Sequence, residues 1–209
     1  MKSRSLELAL GITGASGTMC ARRLLAELAA HPDVAALHVV ASRAARKVAR
    51  VELGLDSESL EEFRRAMTPP STRTIRWLEE EDLAAPIASG SYPCEAMAIV
   101  PCSTGTLAAI ATGNSRNLIH RAAEVTLKER RPLILGVRES PLSLVHIENM
   151  RTATLAGAIV TPVTPLFYNR PVGIDEIAEQ YAARVMDLLK LPHRIGKRWK
   201  AEMAAPETA

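Results

Sequence analysis

The chain has 209 residues, 47% hydrophobic and 23% charged, with a mean hydropathy of +0.03; this is the profile of one soluble globular domain and argues against disorder, collagen-like repeats and coiled coil. Its aromatics are only two Trp, three Tyr and two Phe, so the core must be aliphatic, and single-stranded nucleic-acid binding, which leans on stacking platforms, is disfavoured. The net charge of +3 comes from 26 basic and 23 acidic residues interspersed along the sequence, which leaves no basic arm for a duplex or an anionic membrane.

Met1-Lys2-Ser3-Arg4-Ser5 leads into a short apolar run that Gly11 interrupts, with no small-residue cleavage site, a pattern that predicts neither a signal peptide nor a transmembrane span. Leu6 to Ile12 reads as a strand. Ala21, Leu24, Leu25 and Leu28 then fall on one helical face that His31-Pro32-Asp33 ends, and Ala36 to Val40 reads as the second strand. The stretch from Gly54 to Pro70 carries Glu61, Glu62, Arg64 and Arg65 and closes on Thr68-Pro69-Pro70, which predicts an exposed helix, free to vary, and then a turn. Further strands are expected at Ala96 to Val100, Leu133 to Val137 and Ala158 to Val160, with a short apolar helix over Leu107 to Ala111 and another from about Leu118 to Glu129. Pro162 to Pro171 is too proline-rich for regular structure yet too apolar for a solvated loop, and is expected to pack over something. Ile174, Ile177, Ala178, Tyr181, Val185, Leu188 and Leu189 describe a long amphipathic helix with Asp175 and Glu176 in its favourably charged first turn. The tail over 192–209, basic and then rich in Ala and Pro, is expected to fray or to wrap a neighbouring subunit.

Strand-length apolar runs separated by helix-period segments predict an α/β chain with an open parallel sheet covered by helices on both faces, three layers in all. No repeat or linker calls for a second domain, so residues 1–209 are expected to form one. Cys20, Cys94 and Cys102 are an odd set without a C-x-x-C pair, which fits a reduced, cytoplasmic compartment and neither a disulfide framework nor a zinc site.

Two loops stand out. Gly11-Ile12-Thr13-Gly14-Ala15-Ser16-Gly17 lies between a strand and a helix, where small residues let the backbone approach a phosphate and a helix N-terminus supplies amide donors. It meets neither the dinucleotide nor the P-loop spacing, and an ordinary tight turn explains it about equally well. Pro101-Cys102-Ser103-Thr104-Gly105-Thr106 repeats the pattern after another strand, although its hydroxyls also suit plain helix caps. In an open parallel sheet such loops flank the ligand crevice, so the pair suggests one anion-bearing cofactor between them. Basic residues supply a third signal. Arg121 and Lys128 lie seven apart on nearly one helical face. Arg184 falls on the row Ile177, Tyr181, Arg184, Leu188 of the apolar stripe, where it needs an anionic partner or must snorkel. Arg138 suits a phosphate and Glu139 proton transfer, with a structural Arg-Glu pair as the rival reading.

Taken together, several segments resemble the flavin prenyltransferases of bacteria and fungi. The matching residues are Thr13 to Gly17, Ser42 with Ala44-Ala45, Ala88-Ser89-Gly90-Ser91, Pro101 to Leu107, Asn117-Leu118-Ile119, Arg121-Ala122-Ala123, Leu127-Lys128-Glu129-Arg130-Arg131-Pro132-Leu133, Val137-Arg138-Glu139, Phe167-Tyr168 and Arg184. They stand in the family's order over nearly the whole chain.

The resemblance implies a Rossmann-like or flavodoxin-like subunit of a dodecamer that binds FMN between subunits and transfers a dimethylallyl group from dimethylallyl phosphate to reduced FMN, at N5 and then at C6. The product would pass to a partner decarboxylase of the UbiD type, with no metal required. By motif, Gly14, Ala15, Ser16, Ser42, Ser103, Thr104, Gly105, Thr106 and Arg138 would hold FMN. Lys128, Tyr168 and Arg184 would hold the prenyl phosphate, with Ser89, Ser91 and Arg121 nearby. Glu52 and Glu139 are the acid/base candidates, and Ser16 would assist proton movement. Leu83 replaces a tryptophan found in several relatives, and Met19-Cys20 and Tyr92-Pro93-Cys94 are unusual. The alternatives are an FMN-dependent cysteine-type decarboxylase, whose expected histidine has no match here, and a non-catalytic FMN-binding accessory subunit.

Overall fold

The computed structural model describes residues 5–70 and 74–198; Met1 to Arg4, at the head of the run that predicts no signal peptide, and the tail beyond Arg198 lie outside the described residues. Strand β1 (Leu6–Ile12) is followed by α1 (Thr18–Ala30), β2 (Val34–Ala41), α2 (Arg43–Leu53), α3 (Leu60–Met67), β3 (Ile75–Leu78), β4 (Ala96–Cys102), α4 (Thr104–Ala111), α5 (Leu118–Lys128), β5 (Leu133–Val137), α6 (Leu144–Leu155), β6 (Ile159–Val160) and α7 (Ile174–Leu188). The strands form one open sheet in the order β3-β2-β1-β4-β5-β6, every neighbouring pair parallel. The order reverses between β1 and β4, so the crevice of a doubly wound sheet opens at their carboxyl ends.

The period of two along each strand divides the apolar residues between two cores. Leu8, Leu10 and Ile12 of β1 and Ala96, Ala98 and Val100 of β4 pack with α1, α3 and α7. The alternate residues Ala9, Met97 and Ile99 pack with α4 and α5. Burial on both faces explains why the central strands read as continuous apolar runs rather than as alternation. Gly11 belongs to this packing: a Cβ there would stand 3.0 Å from Ile119 of α5.

β1 and β5 coincide with the expected strands, β2 and β4 run longer at their ends, and β6 omits Ala158. Three elements carry no legible periodicity. β3 is a four-residue edge strand paired only with β2. α2 buries only Ala45 and Ala49, too little for an apolar stripe. α6 buries only Ala153 and turns Leu144, Val145 and Leu155 to the outside. The helix expected over Gly54 to Pro70 is confined to α3, and it is not wholly exposed. Phe63 and Met67 are each 1% exposed in the core, with the Phe63 ring edge-on to Trp77 at 6.0 Å. Those two positions are therefore not free to vary.

Candidate active site

The two loops at the β1/β4 crossover are tied together by Thr13. Its hydroxyl donates to the Pro101 carbonyl at 2.8 Å and accepts from the Ser103 amide at 2.7 Å, and the residue is 2% exposed. Gly14 packs against the start of α2 so closely that a Cβ would overlap Ala44. Ser42 caps α2 by accepting from the Ala45 amide, and Ser103 caps α4 by accepting from the Thr106 amide. Between them lies a cleft of about 470 Å³ whose lining includes Thr13, Gly14, Ser42, Ser103, Gly105 and Thr106. The two expected loops thus face one space. Its far wall is braced by Glu80, whose carboxylate accepts from the Arg43 amide at 2.8 Å and from Asn117 Nδ2 at 2.7 Å. His120 also lines it; burial pushes the His120 imidazole down, against the opposing pull of Glu80.

The first loop does not present its helix N-terminus to the cleft as an open anion site. The Glu52 carboxylate reaches back from α2 and accepts from the Gly17 amide at 2.9 Å and the Thr18 amide at 2.7 Å, which fills the amides expected to meet a phosphate. Burial tends to raise the Glu52 carboxyl, but hydrogen bonds from the Ser16 and Thr18 side chains and the two amides outweigh it and hold it below the ordinary carboxylate range. The remaining helix start, that of α4, keeps Gly105 open, with nothing within 4 Å of where a Cβ would stand. Arg138 and Glu139 follow β5 at the same end of the sheet, where the Arg138 amide donates to the Cys102 carbonyl at 3.2 Å. Both side chains are exposed. No Arg-Glu ion pair joins them among the described residues; Glu139 instead accepts from the Ser140 amide at 2.9 Å.

A second cavity, of about 540 Å³, lies between α7 and the segment after β6, with Tyr168, Gln180, Arg184, Asp187 and Lys197 in its lining. Arg184 does not sit inside the apolar stripe as its row suggests. Its neighbours Ala183 and Val185 are buried while it is exposed to the cavity, and it has no ion-pair partner among the described residues. The Pro162–Pro171 segment forms a wall of this cavity and keeps Phe167 and Tyr168 at its surface, 73% and 53% exposed. As expected it packs over something, since Val163 lies against the core of the α1/α7 face and Asn169 is buried, while its aromatic residues face outward.

Ser89, Ser91, Arg121 and Lys128 form a third group along α5. Ser89 and Ser91 share a hydrogen bond of 2.9 Å, Arg121 donates to the Ala88 carbonyl at 3.1 Å, and Lys128 pairs with Glu129 beside Gly90. Lys128 ends α5 just before β5 begins, so it lies at the amino end of the sheet. That end is opposite to the β1/β4 cleft, and α5 packs on the other face of the sheet from α7, which carries Arg184. Leu83 is 54% exposed. Thr13 and Glu80 were not singled out in the sequence as site residues. Thr13 has a signal, a hydroxyl one residue past the end of a strand in a small-residue loop, but Glu80 has none, since its partners are 37 residues away in both directions. Among the described residues no group of His, Cys, Asp and Glu has the arrangement of a metal site.

The chain matches the Flavoprotein family over residues 1–183. It is 39% identical over 194 residues to the flavin prenyltransferase UbiX of Methanocaldococcus jannaschii, covering 93% of this chain and 98% of that one. Among solved structures it is similar to AnUbiX (PadA1) in complex with FMN and dimethylallyl pyrophosphate, with a TM-score of 0.83 at 36% identity over 94% of this chain and 98% of that one. It is also similar to a dodecameric FMN-dependent UbiX-like decarboxylase from Escherichia coli O157:H7, with a TM-score of 0.82 at 36% identity over 93% of this chain and 99% of that one.

Proposed function

Since the chain belongs to the flavin prenyltransferases within the Flavoprotein family, we propose that it joins the dimethylallyl group of dimethylallyl phosphate to reduced FMN, first at N5 and then at C6, and releases phosphate. The observation that carries this reading is the β1/β4 cleft with its tied loops and its open α4 start, placed on a subunit so similar to an enzyme with both ligands bound. FMN, which is the prenyl acceptor, fits there. Gly14, packed on Ala44, lines the cleft, Ser103 to Thr106 offer hydroxyls and first-turn amides, and Arg138 at the end of β5 suits the flavin phosphate. Gly14, Ala15, Ser16, Ser42, Ser103, Thr104, Gly105, Thr106 and Arg138 are the proposed flavin contacts.

Transfer breaks the bond between the allylic carbon and the phosphate oxygen, whose electron pair leaves with phosphate, while the electron-rich flavin supplies the pair for the new N5–carbon bond. Negative charge grows on the leaving oxygens, and Arg184, Lys128 and the Tyr168 hydroxyl are the groups to stabilise it. Arg184 suits the task because no carboxylate among the described residues forms an ion pair with it. Ring closure takes a proton from C6 and gives one to the prenyl chain. Glu139 and the departing phosphate are the groups for these transfers, with Ser16, next to the Gly17 amide that Glu52 holds, able to pass a proton near the flavin.

Because α5, which Lys128 ends, and α7, which carries Arg184, pack on opposite faces of the sheet, the complete site needs at least two copies. The outward apolar side chains Leu144, Val145 and Leu155 of α6, Phe167 and Val172 before α7, and Ile174 at its start, are the surfaces to bring copies together, in a dodecamer like that of the E. coli relative. The prenylated flavin then goes to a UbiD-type decarboxylase. A cytoplasmic location suits three free, buried cysteines, and no helix among the described residues is long and apolar enough to cross a membrane. The test is anaerobic phosphate release from dimethylallyl phosphate. Release that requires reduced FMN supports the reading; no release, or release at the same rate without flavin, overturns it.

A further inference from the structure

At the amino-terminal side of the sheet, Glu7, His38 and Tyr92 form a polar cluster with no part in the reaction as described. His38 lies inside β2, 1% exposed, with its Nε2 at 2.9 Å from Glu7 Oε2. The Tyr92 hydroxyl donates to that same oxygen and lies 3.2 Å from His38 Nε2. Other charged groups surround the cluster. Glu95 Oε2 accepts from the Glu7 amide at 2.6 Å, and Arg76 stands 3.9 Å from the Glu7 carboxylate and 3.4 Å from the Tyr92 hydroxyl. Burial tends to raise the Glu7 carboxyl, but the bonds from His38 and Tyr92 outweigh it and hold it low, so Glu7 stays an ionised acceptor. His38 Nδ1 is buried with no partner. Apolar side chains of the same shape would leave no such orphan; what a buried polar network adds is a single defined arrangement.

The arrangement it defines is that of the loop over residues 89–92. Tyr92 is the last residue of that loop, and its side chain is fastened to β1 through Glu7. From the β5 side, Arg131 donates to the Gly90 carbonyl at 2.8 Å and to the Tyr92 carbonyl at 3.0 Å. Gly90 is pressed so closely against Lys128 and Glu129 that a Cβ would overlap both side chains. The two serines that flank Gly90 are bonded to each other and exposed. The loop is thus held at its last residue and at its middle, and the free groups left on it are the Ser89 and Ser91 hydroxyls beside the Lys128 ammonium.

We propose that Tyr92, acting through Glu7 and His38, is a positioning residue of the prenyl-donor site: it fixes where the Ser89 and Ser91 hydroxyls stand and thereby sets the affinity for an allylic phosphate. This rests on the reading of Ser89 and Ser91 as donor contacts. Tyr92→Phe in the full chain removes one hydrogen bond to a carboxylate and should raise KM for dimethylallyl phosphate by about tenfold with kcat unchanged, the pattern of lost uniform binding. The same loss should appear in calorimetric binding of dimethylallyl phosphate to the enzyme loaded with oxidised FMN, while affinity for FMN itself stays at the wild-type value. Glu7→Gln, which keeps the shape and one acceptor, should show a smaller rise. In a Ser89→Ala/Ser91→Ala background, Tyr92→Phe should have no further effect on KM, since the groups it places are gone. An unchanged KM in Tyr92→Phe, or an equal rise in the background without the two hydroxyls, overturns the proposal while leaving the prenyl-transfer reading intact. A wild-type enzyme that transfers nothing overturns both.

Discussion

Thr13→Val removes the one side chain that joins the two cleft loops while keeping its shape. The hydroxyl accepts from the Ser103 amide at 2.7 Å and donates to the Pro101 carbonyl at 2.8 Å. Without it the carbonyl keeps a second partner, the Thr13 amide at 3.1 Å, so only the part-buried Ser103 amide is orphaned. The orphan and the lost bonds together cost roughly 2–3 kcal/mol. For a chain of this size each kcal/mol lowers the melting midpoint by about 2–4 °C, so a drop of about 4–12 °C is expected. Ser103 caps α4, so the cleft should loosen with it and FMN affinity should fall. Thr13→Ser keeps both hydrogen bonds and loses one methyl, at about 1 kcal/mol. Thermal unfolding followed by circular dichroism, together with fluorescence titration of FMN, reads both effects. A Thr13→Val protein that melts within about 1 °C of wild type and binds FMN as tightly would refute the reasoning.

Glu52→Gln should weaken the fold by about 1 kcal/mol at neutral pH through loss of an anion at the start of α1. Because the folded carboxyl is held below its unfolded value, the difference from wild type should be full above the unfolded value and shrink as pH falls through the folded one, vanishing in strong acid; urea unfolding at pH 7 and pH 3 checks this. Arg184→Ala should lower kcat/KM for dimethylallyl phosphate by at least about tenfold through loss of a charge-assisted contact, with FMN affinity unchanged in the same titration. Leu144→Glu combined with Val145→Glu should break the assembly into smaller species on light scattering and abolish transfer with it, since Lys128 and Arg184 would no longer meet.

The fold was legible wherever burial imposed a period. β1, β5 and α7 stand out because each must present apolar residues to a core, on both faces for the strands and on one for the helix. α2 and α6 escaped because they bury almost nothing within the chain, and an element held mainly by its caps leaves no stripe to read. Phe63 was hidden for a different reason: its acidic and basic neighbours Glu61, Glu62, Arg64 and Arg65 suggest a solvated helix, yet one turn still reaches the core. At the site, loop composition and position after a strand pointed to the cleft, and the resemblance supplied the residue roles. The use of the α1 amides by Glu52 was not legible, because it is a contact across 35 residues. For the same reason no sequence pattern reveals that Lys128 and Arg184 end on opposite sides of one subunit. That follows only from α5 and α7 packing on opposite faces of the sheet.

The most direct test of the central claim is the mass of the flavin. Purified protein is incubated without oxygen with reduced FMN and dimethylallyl phosphate, and the flavin it holds is released and weighed. Prenyl transfer predicts a species heavier than FMN by one C5H8 unit, absent when the donor is omitted. Flavin of unchanged mass, from protein that binds FMN tightly, would contradict the account.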